Sequence, residues 1–393
     1  MVTAVRKILI SLGIIVVIVA GVAAFLLFTS PPSSSDTRAL IAEVPATAEA
    51  FAIIPRAATL DTKLHINPIT RSAVAKWGER HPFPSPWMIG GADLVAWNSG
   101  DQIRYFVRTD RLRGFLIRTF AKDVSLDATV ETAIDSAEVA RILDLASKLP
   151  PGDALVVQRE SGRGAYPPIG RPAVTSVAIS PTEINLTSLS LAGEAAGGTA
   201  GEPPALLQFP RGAVLSAAFT QPPRIVGDLN RLFGTKVSSL FQQGGALCIY
   251  NVDTKKLLPR PLGVIVLPND PQRRAILDSF RQAEAIGIRV RTVEIGSTLA
   301  LSFDSSIDQY EKDVFDPAPV ANQWSVRIDA PRLVPILNDL QQNIGLRIAA
   351  PRIYRSARDL AGWIGELEQA KTIEATDTAD AQTETLHVRI SAK

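Results

Sequence analysis

The sequence predicts an α+β fold in which an N-terminal transmembrane helix precedes two related modules of mainly antiparallel strands with amphipathic helices. Three observations carry that expectation. The run Ile8–Phe28 is uncharged and long enough to cross a hydrocarbon core at about 1.5 Å per helical residue. The stretch Gly90-Gly91-Ala92-Asp93-Leu94-Val95-Ala96-Trp97-Asn98 returns as Gly244-Gly245-Ala246-Leu247-Cys248-Ile249-Tyr250-Asn251, each copy followed by a second apolar run and an Asp-led helix. Elsewhere short alternating segments are broken by turn residues and by helical periodicity.

The chain is too long for one hydrophobic core to keep growing, so more than one domain is expected at 393 residues. Arg6 and Lys7 precede the apolar run, and the next cation is Arg38, which places the N-terminus in the cytoplasm and the rest outside. A cleaved signal peptide is the competing reading, with Val22 and Ala24 before the cut, but the apolar run continues through Phe25-Leu26-Leu27-Phe28. Residues 1–28 are thus read as a cytoplasmic stub and membrane span, and 29–39 as a tether centred on Ser30-Pro31-Pro32-Ser33. Without Arg6 and Lys7 the remaining positive and negative charges balance. That argues against nucleic acid, which demands a positive field.

The first module is expected over 40–192. A strand at Ala50–Ile54 follows Pro45-Ala46-Thr47-Ala48, and a helix fits Ile69–Trp77. Pro82, Pro84 and Pro86 make Trp77–Trp87 a loop bearing large rings. Strands follow at Asp93–Asn98 and Gln102–Thr109; in the second, Ile103, Tyr105 and Val107 define a buried face, with Arg104, Phe106 and Arg108 on a mostly exposed one. Asp110 caps one helix. Another, Ser136–Leu149, shows an apolar face of Val139, Ile142, Leu143 and Ala146, with Asp135 and Glu138 spaced as a capping box. Strands at Asp153–Arg159, Pro172–Ile179 and Glu183–Leu191 complete it, the last two joined by Ser180-Pro181-Thr182.

Gly193–Pro204 reads as a linker, and 205–393 as the second module. It begins with a helix over Pro223–Gln242, strands at Ala246–Asn251 and Pro261–Leu267, and a helix led by Asp270-Pro271. Strands at Ile288–Ile295 and Thr298–Phe303 turn at Gly296-Ser297. A strand from Trp324 and helices at Pro331–Asn343 and Ser356–Ala370 lead to a polar loop, Thr372–Thr385, and a final strand through Leu386, Val388 and Ile390. At one common offset Asp110, Arg113 and Phe120 match Asp270, Arg273 and Phe280, which supports a duplication.

A smaller motif recurs as Pro45-x-x-Ala48, Pro151-x-x-Ala154 and Pro210-x-x-Ala213, each opening an apolar strand. With the anchor and the duplication, it resembles a loose group of membrane-tethered bacterial envelope proteins built from repeated α+β modules with Leu-Pro-x-x-Ala strand openings. This chain departs from that pattern in lacking a consistent acidic third residue, Asp153 being the one example. The resemblance implies location and architecture, and no reaction.

Chemistry-bearing patterns are sparse. His65, His81 and His387 are far apart, and the single Cys248 lies in an apolar run, so neither a metal site nor a cofactor is expected. No phosphate-loop, nucleophile-elbow or zinc-protease motif occurs, and no catalytic residue is assigned. Asp304, Asp308 and Glu311 would share a helix face, and Arg352, Arg355 and Arg358 form a basic cluster; both fit solvated surfaces. Trp77, Phe83 and Trp87 are the candidate interaction residues, because aromatic rings on loops anchor partners. The expectation is a non-catalytic, membrane-anchored extracytoplasmic protein that binds or scaffolds an envelope protein partner. The alternatives are an envelope hydrolase whose site assembles only in three dimensions and a carrier of apolar ligands.

Overall fold

The computed structural model describes residues 37–55, 57–71, 93–99, 102–108, 133–159, 173–191, 208–220, 244–257, 259–269, 290–296, 298–302, 304–317, 323–349, 354–355, 358, 369–380 and 382–393. They form a sheet-rich, mainly antiparallel α+β structure that divides into two compact units, one comprising residues 37–65 and 93–178 and the other residues 66–71 and 179–393. Among the described residues no helix is long and apolar enough to cross a membrane; the expected span Ile8–Phe28 lies outside them. So do the helices expected after Asp110 and Asp270 and over Pro223–Gln242, and the linker Gly193–Pro204.

The first unit holds α1 (Thr37–Ile41), β1 (Ala50–Ile54), most of α2 (Ala57–Ile66), β2 (Asp93–Ser99), β3 (Gln102–Arg108), α3 (Ser136–Ser147), β4 (Ala154–Gln158) and β5 (Ala173–Ile179). Its strands run antiparallel in the order β5-β4-β1-β2-β3. β1 is central because its alternate residues Phe51 and Ile53 are buried and meet Trp97 and Val95 on one side, Val157 and Leu155 on the other. Val139 and Ile142 turn inward from α3 as expected, but it is Leu145 that is buried with them, while Leu143 and Ala146 are half-buried; α1 packs against α3 and β1 through buried Leu40 and Ile41.

Two expectations change here. Glu138 does not close a capping box, since the N-cap Asp135 makes no side-chain cap bond and Glu138 pairs instead with Arg159. Phe106 is buried opposite buried Val95, so the face of β3 expected to be mostly exposed is covered at that position. The helix expected from Ile69 begins with buried Asn67, whose Oδ1 accepts from the Ile69 and Thr70 amides; its part beyond Arg71 lies outside the described residues.

The second unit contains β6 (Glu183–Leu191), β7 (Gln208–Pro210), β8 (Leu215–Phe219), β9 (Gly245–Asp253), β10 (Arg260–Pro268), β11 (Arg291–Ile295) and β12 (Thr298–Ser302). It continues with α4 (Ser306–Glu311), β13 (Phe315–Pro317), β14 (Trp324–Asp329), α5 (Ala330–Gln342), α6 (Ile344–Ala349), β15 (Ala370–Ala379) and β16 (Thr383–Ala392). The sheet order is β11-β12-β10-β9-β8-β14-β15-β16-β6, with β7 and β13 paired separately. β6 falls in this unit because it pairs with β16 over its full length.

Both faces of this sheet are apolar. On one, Ala246, Cys248 and Tyr250 of β9 pack with Phe209, Val264, Val266, Ile307 and Tyr310. On the other, Phe219, Leu267, Leu299 and Leu301 pack with Trp324. Gly244 is required where β9 begins: its φ is +83°, and a Cβ would fall 2.5 Å from the Phe219 carbonyl oxygen. The hairpin expected at Gly296-Ser297 forms, with Gly296 at φ +58° between β11 and β12.

The expected polar loop Thr372–Thr385 is a correction. Thr372–Ala379 is strand β15, joined to β14 on one side and β16 on the other. Ala370, expected to end a helix, opens that strand. Its turn is made by Asp380, whose carboxylate accepts from the Gln382 and Thr383 amides and the Thr383 hydroxyl.

Candidate functional site

The most exposed large apolar side chains among the described residues lie on two segments that the second unit brings together. Leu257 is 78 % exposed, Ile344 71 % and Ile348 76 %. Leu257 ends the turn that leaves β9, and the two isoleucines sit one helical turn apart on α6. The helix is inverted relative to a core helix. Gly345 and Leu346 face inward, while Ile344, Arg347 and Ile348 form the outward stripe.

A rigid frame holds the two segments. Asn343, between α5 and α6, donates from Nδ2 to the Thr254 carbonyl at 3.1 Å and the Lys256 carbonyl at 2.9 Å. Its Oδ1 accepts from the Leu346 amide at 2.7 Å, the N-cap bond of α6. The Thr254 hydroxyl donates to Asp339 Oδ2 at 3.1 Å, and the Asp253 carboxylate accepts the Lys255 amide. α5 itself is fixed at its start: the Asp329 carboxylate accepts the Arg332 amide, and the Arg332 guanidinium donates to the Gly212 carbonyl at 2.6 Å.

Between the segments lies an open hollow of about 590 Å³, bordered by Lys255, Lys256, Leu257, Asp339, Gln342 and Ile344. Lys255, Lys256 and Arg347 are exposed and, among the described residues, make no ion pair, whereas Arg211, Arg291, Arg327 and Arg389 each do. The surface therefore offers three apolar tips and three unneutralised cations on a fixed scaffold. It can dock a partner by burying apolar area and meeting negative charge.

The residues singled out in the sequence fare differently. Trp77, Phe83, Trp87, His81 and Arg352 lie outside the described residues. The acidic trio does not assemble: Asp308 forms a two-point ion pair with Arg291, and Asp304 precedes α4, where it accepts the Gly263 and Ser306 amides. The Arg291 guanidinium holds the exposed Asp308 carboxyl below its ordinary value. His65 bonds the Asp61 carbonyl within α2, and His387 is exposed and bonds the Thr187 hydroxyl. Cys248 is fully enclosed, and burial pushes its thiol up to about 12.

A second polar assembly has no signature in the sequence. Asp377, 6 % exposed, lies directly across from Trp324 on β14 and diagonal to Glu384 on β16. Burial, then the Glu384 carboxyl, push Asp377 up to about 7. Asp377 Oδ1 and the hydroxyl of Ser190, which sits opposite Glu384 on β6, have no hydrogen-bond partner among the described residues. Only the strand pairing creates this group, so no motif announces it.

Comparison with protein-family models, with curated protein sequences and with solved structures gives no match.

Proposed function

We propose that this chain is a non-catalytic, membrane-anchored extracytoplasmic binding or scaffolding protein, tethered through Ile8–Phe28 and built from two related modules. The observation that carries the reading is the docking surface: Leu257, Ile344 and Ile348 project from a hydrogen-bonded frame, flanked by Lys255, Lys256 and Arg347, which make no ion pair among the described residues. Burial of such tips against a partner recovers free energy that water withholds, about 25 cal/mol per Å² of apolar area.

The duplication is supported by strand order. Within the first unit β1 lies between β2 and β4, with β3 beyond β2 and β5 beyond β4; within the second, β8 lies between β9 and β14, with β10 and β15 outside. The copies differ where the surface stands. Only 14 residues (159–172) join β4 to β5, but 40 (330–369) join β14 to β15, and these carry α5 and α6. Two residues (100–101) join β2 to β3, whereas six (254–259) join β9 to β10. Both halves of the surface are thus elaborations of the second copy, where a binding role can be added without disturbing the shared sheet.

The test is a photo-crosslinking side chain placed at Ile344 of the anchored full chain, with the same group at Gln309, exposed on α4, as reference. A specific adduct at 344 and none at 309 is expected. Equal, background-level reaction at both positions removes the reading.

A further inference from the structure

The docking surface has a composition that selects among partners. Its apolar part is small, three side chains at the end of a turn and on a helix of six residues, too little for a protein interface of ordinary size. Its polar part is cationic: Lys255 and Lys256 precede Leu257, and Arg347 stands between Ile344 and Ile348 on the outward stripe of α6. Two carboxylates accompany them, Asp339, which borders the same hollow and accepts from the Thr254 hydroxyl, and Asp253, which accepts the Lys255 amide; the three cations outnumber them. Apolar tips that reach past a ring of lysine and arginine match a bilayer surface. There the tips enter the acyl boundary, and long cationic side chains stay at the depth of the phosphates.

We propose that Leu257, Ile344 and Ile348 seat the second unit on the headgroup region of an anionic phospholipid bilayer, with Lys255, Lys256 and Arg347 meeting lipid phosphates. This rests on reading the surface as a docking surface, and it names the occupant. The frame suits that role: Asn343 fixes turn and helix together, so the three tips are presented without first being ordered. A chain tethered by its own anchor meets the bilayer at high effective concentration, so a small surface suffices.

The full chain is reconstituted into lipid nanodiscs with an environment-sensitive thiol label at Ile344→Cys or, as reference, at Gln309→Cys; enclosed Cys248 is not expected to react. Headgroup-labelled quencher lipid is included in discs of phosphatidylcholine alone or mixed with phosphatidylglycerol. Quenching at 344 and not at 309 is expected in the mixed discs, and it weakens in high salt and without phosphatidylglycerol. Lys255→Gln, Lys256→Gln and Arg347→Gln each lower the docked-to-undocked ratio about fivefold. The proposal is overturned by equal quenching at 344 and 309, by equal docking on phosphatidylcholine alone, or by protection of position 344 that requires an added protein. Retention in the disc fraction reports separately on the Ile8–Phe28 anchor. If the chain is retained but unquenched, the lipid surface fails and the tether stands. If the chain leaves the discs the tether fails, and vesicles of the same mixture then test the surface by itself.

Discussion

Gly345 lies so close to the backbone of Leu257 that a Cβ on it would fall 1.8 Å from the Leu257 carbonyl oxygen and 2.7 Å from its carbonyl carbon. α6 can rest on the β9–β10 turn only with glycine there. Gly345→Ala is therefore expected to lift the helix off the turn and to cost about 1–3 kcal/mol by overpacking. Gly296→Ala is the comparison: its φ is +58°, but nothing lies within 4 Å of the added Cβ. Its penalty is limited to backbone strain, about 1 kcal/mol. Chemical denaturation of both variants checks the order, and equal losses contradict the close approach.

Asn343 is the pin of the same frame, since one side chain serves two turn carbonyls and caps α6. Asn343→Ala removes all three bonds. A stability loss of about 1–2 kcal/mol is expected, because the freed carbonyls gain access to water. Amide hydrogen exchange is the sharper readout. Leu346 should lose protection while the β9–β10 ladder keeps it, and unchanged exchange at Leu346 rules out the cap.

In the first unit Arg159 holds Glu138 through paired 2.7 Å bonds and donates also to the carbonyls of Ala46 and Ala48. The arginine keeps the Glu138 carboxyl below its ordinary value. A lowered carboxylate contributes stability above its unfolded value, and that contribution is lost as pH falls through the folded value. Arg159→Gln should cost about 2–3 kcal/mol at neutral pH, with the gap to the parent narrowing below about pH 4. Melting curves across that range decide it; a gap independent of pH means that the ion pair contributes nothing.

Much of the sheet was legible because alternation survives in single strands: Glu183–Leu191 and Ala50–Ile54 stand where their patterns place them. β15 was not, because after Ile373 its buried positions are Thr376, Asp377 and Ala379, and so polar and small a set mimics a loop. Its partners on both sides supply the stability that its composition hides. Helix α2 was missed for a related reason, having no apolar face to give it a period. The candidate surface was illegible for the opposite cause. Isoleucines such as Ile344 and Ile348 carry no mark of exposure in their spacing, and only the burial of Gly345 and Leu346 on the other side of the helix turns them outward.

Cys248 offers a check on the second unit's core. It is packed with Tyr250, Val264 and Ile307, and burial pushes its thiol up to about 12. A thiol reagent at pH 8 should modify it only as fast as the unit opens, with the rate rising on addition of denaturant. Immediate modification of the native chain contradicts the enclosed position.

The Asp377–Glu384 pair sets a pH dependence of the opposite sign to that of Glu138. Asp377 is raised to about 7 in the fold, above its unfolded value of about 3.9, because burial and the neighbouring Glu384 carboxyl penalise its charge. Between those values the folded chain holds a proton that the unfolded chain has released. Stability contributed by the protonated form is thus full below the unfolded value and declines as pH rises towards 7. Asp377→Asn keeps the shape and removes the charge. The variant should match the parent near pH 4 and melt at higher temperature than the parent at pH 8, where Asp377 is ionised beside Glu384 with Oδ1 unpartnered. Thermal unfolding at the two pH values measures the difference directly. If parent and variant lose stability equally on going from pH 4 to pH 8, the buried carboxyl is not the titrating group.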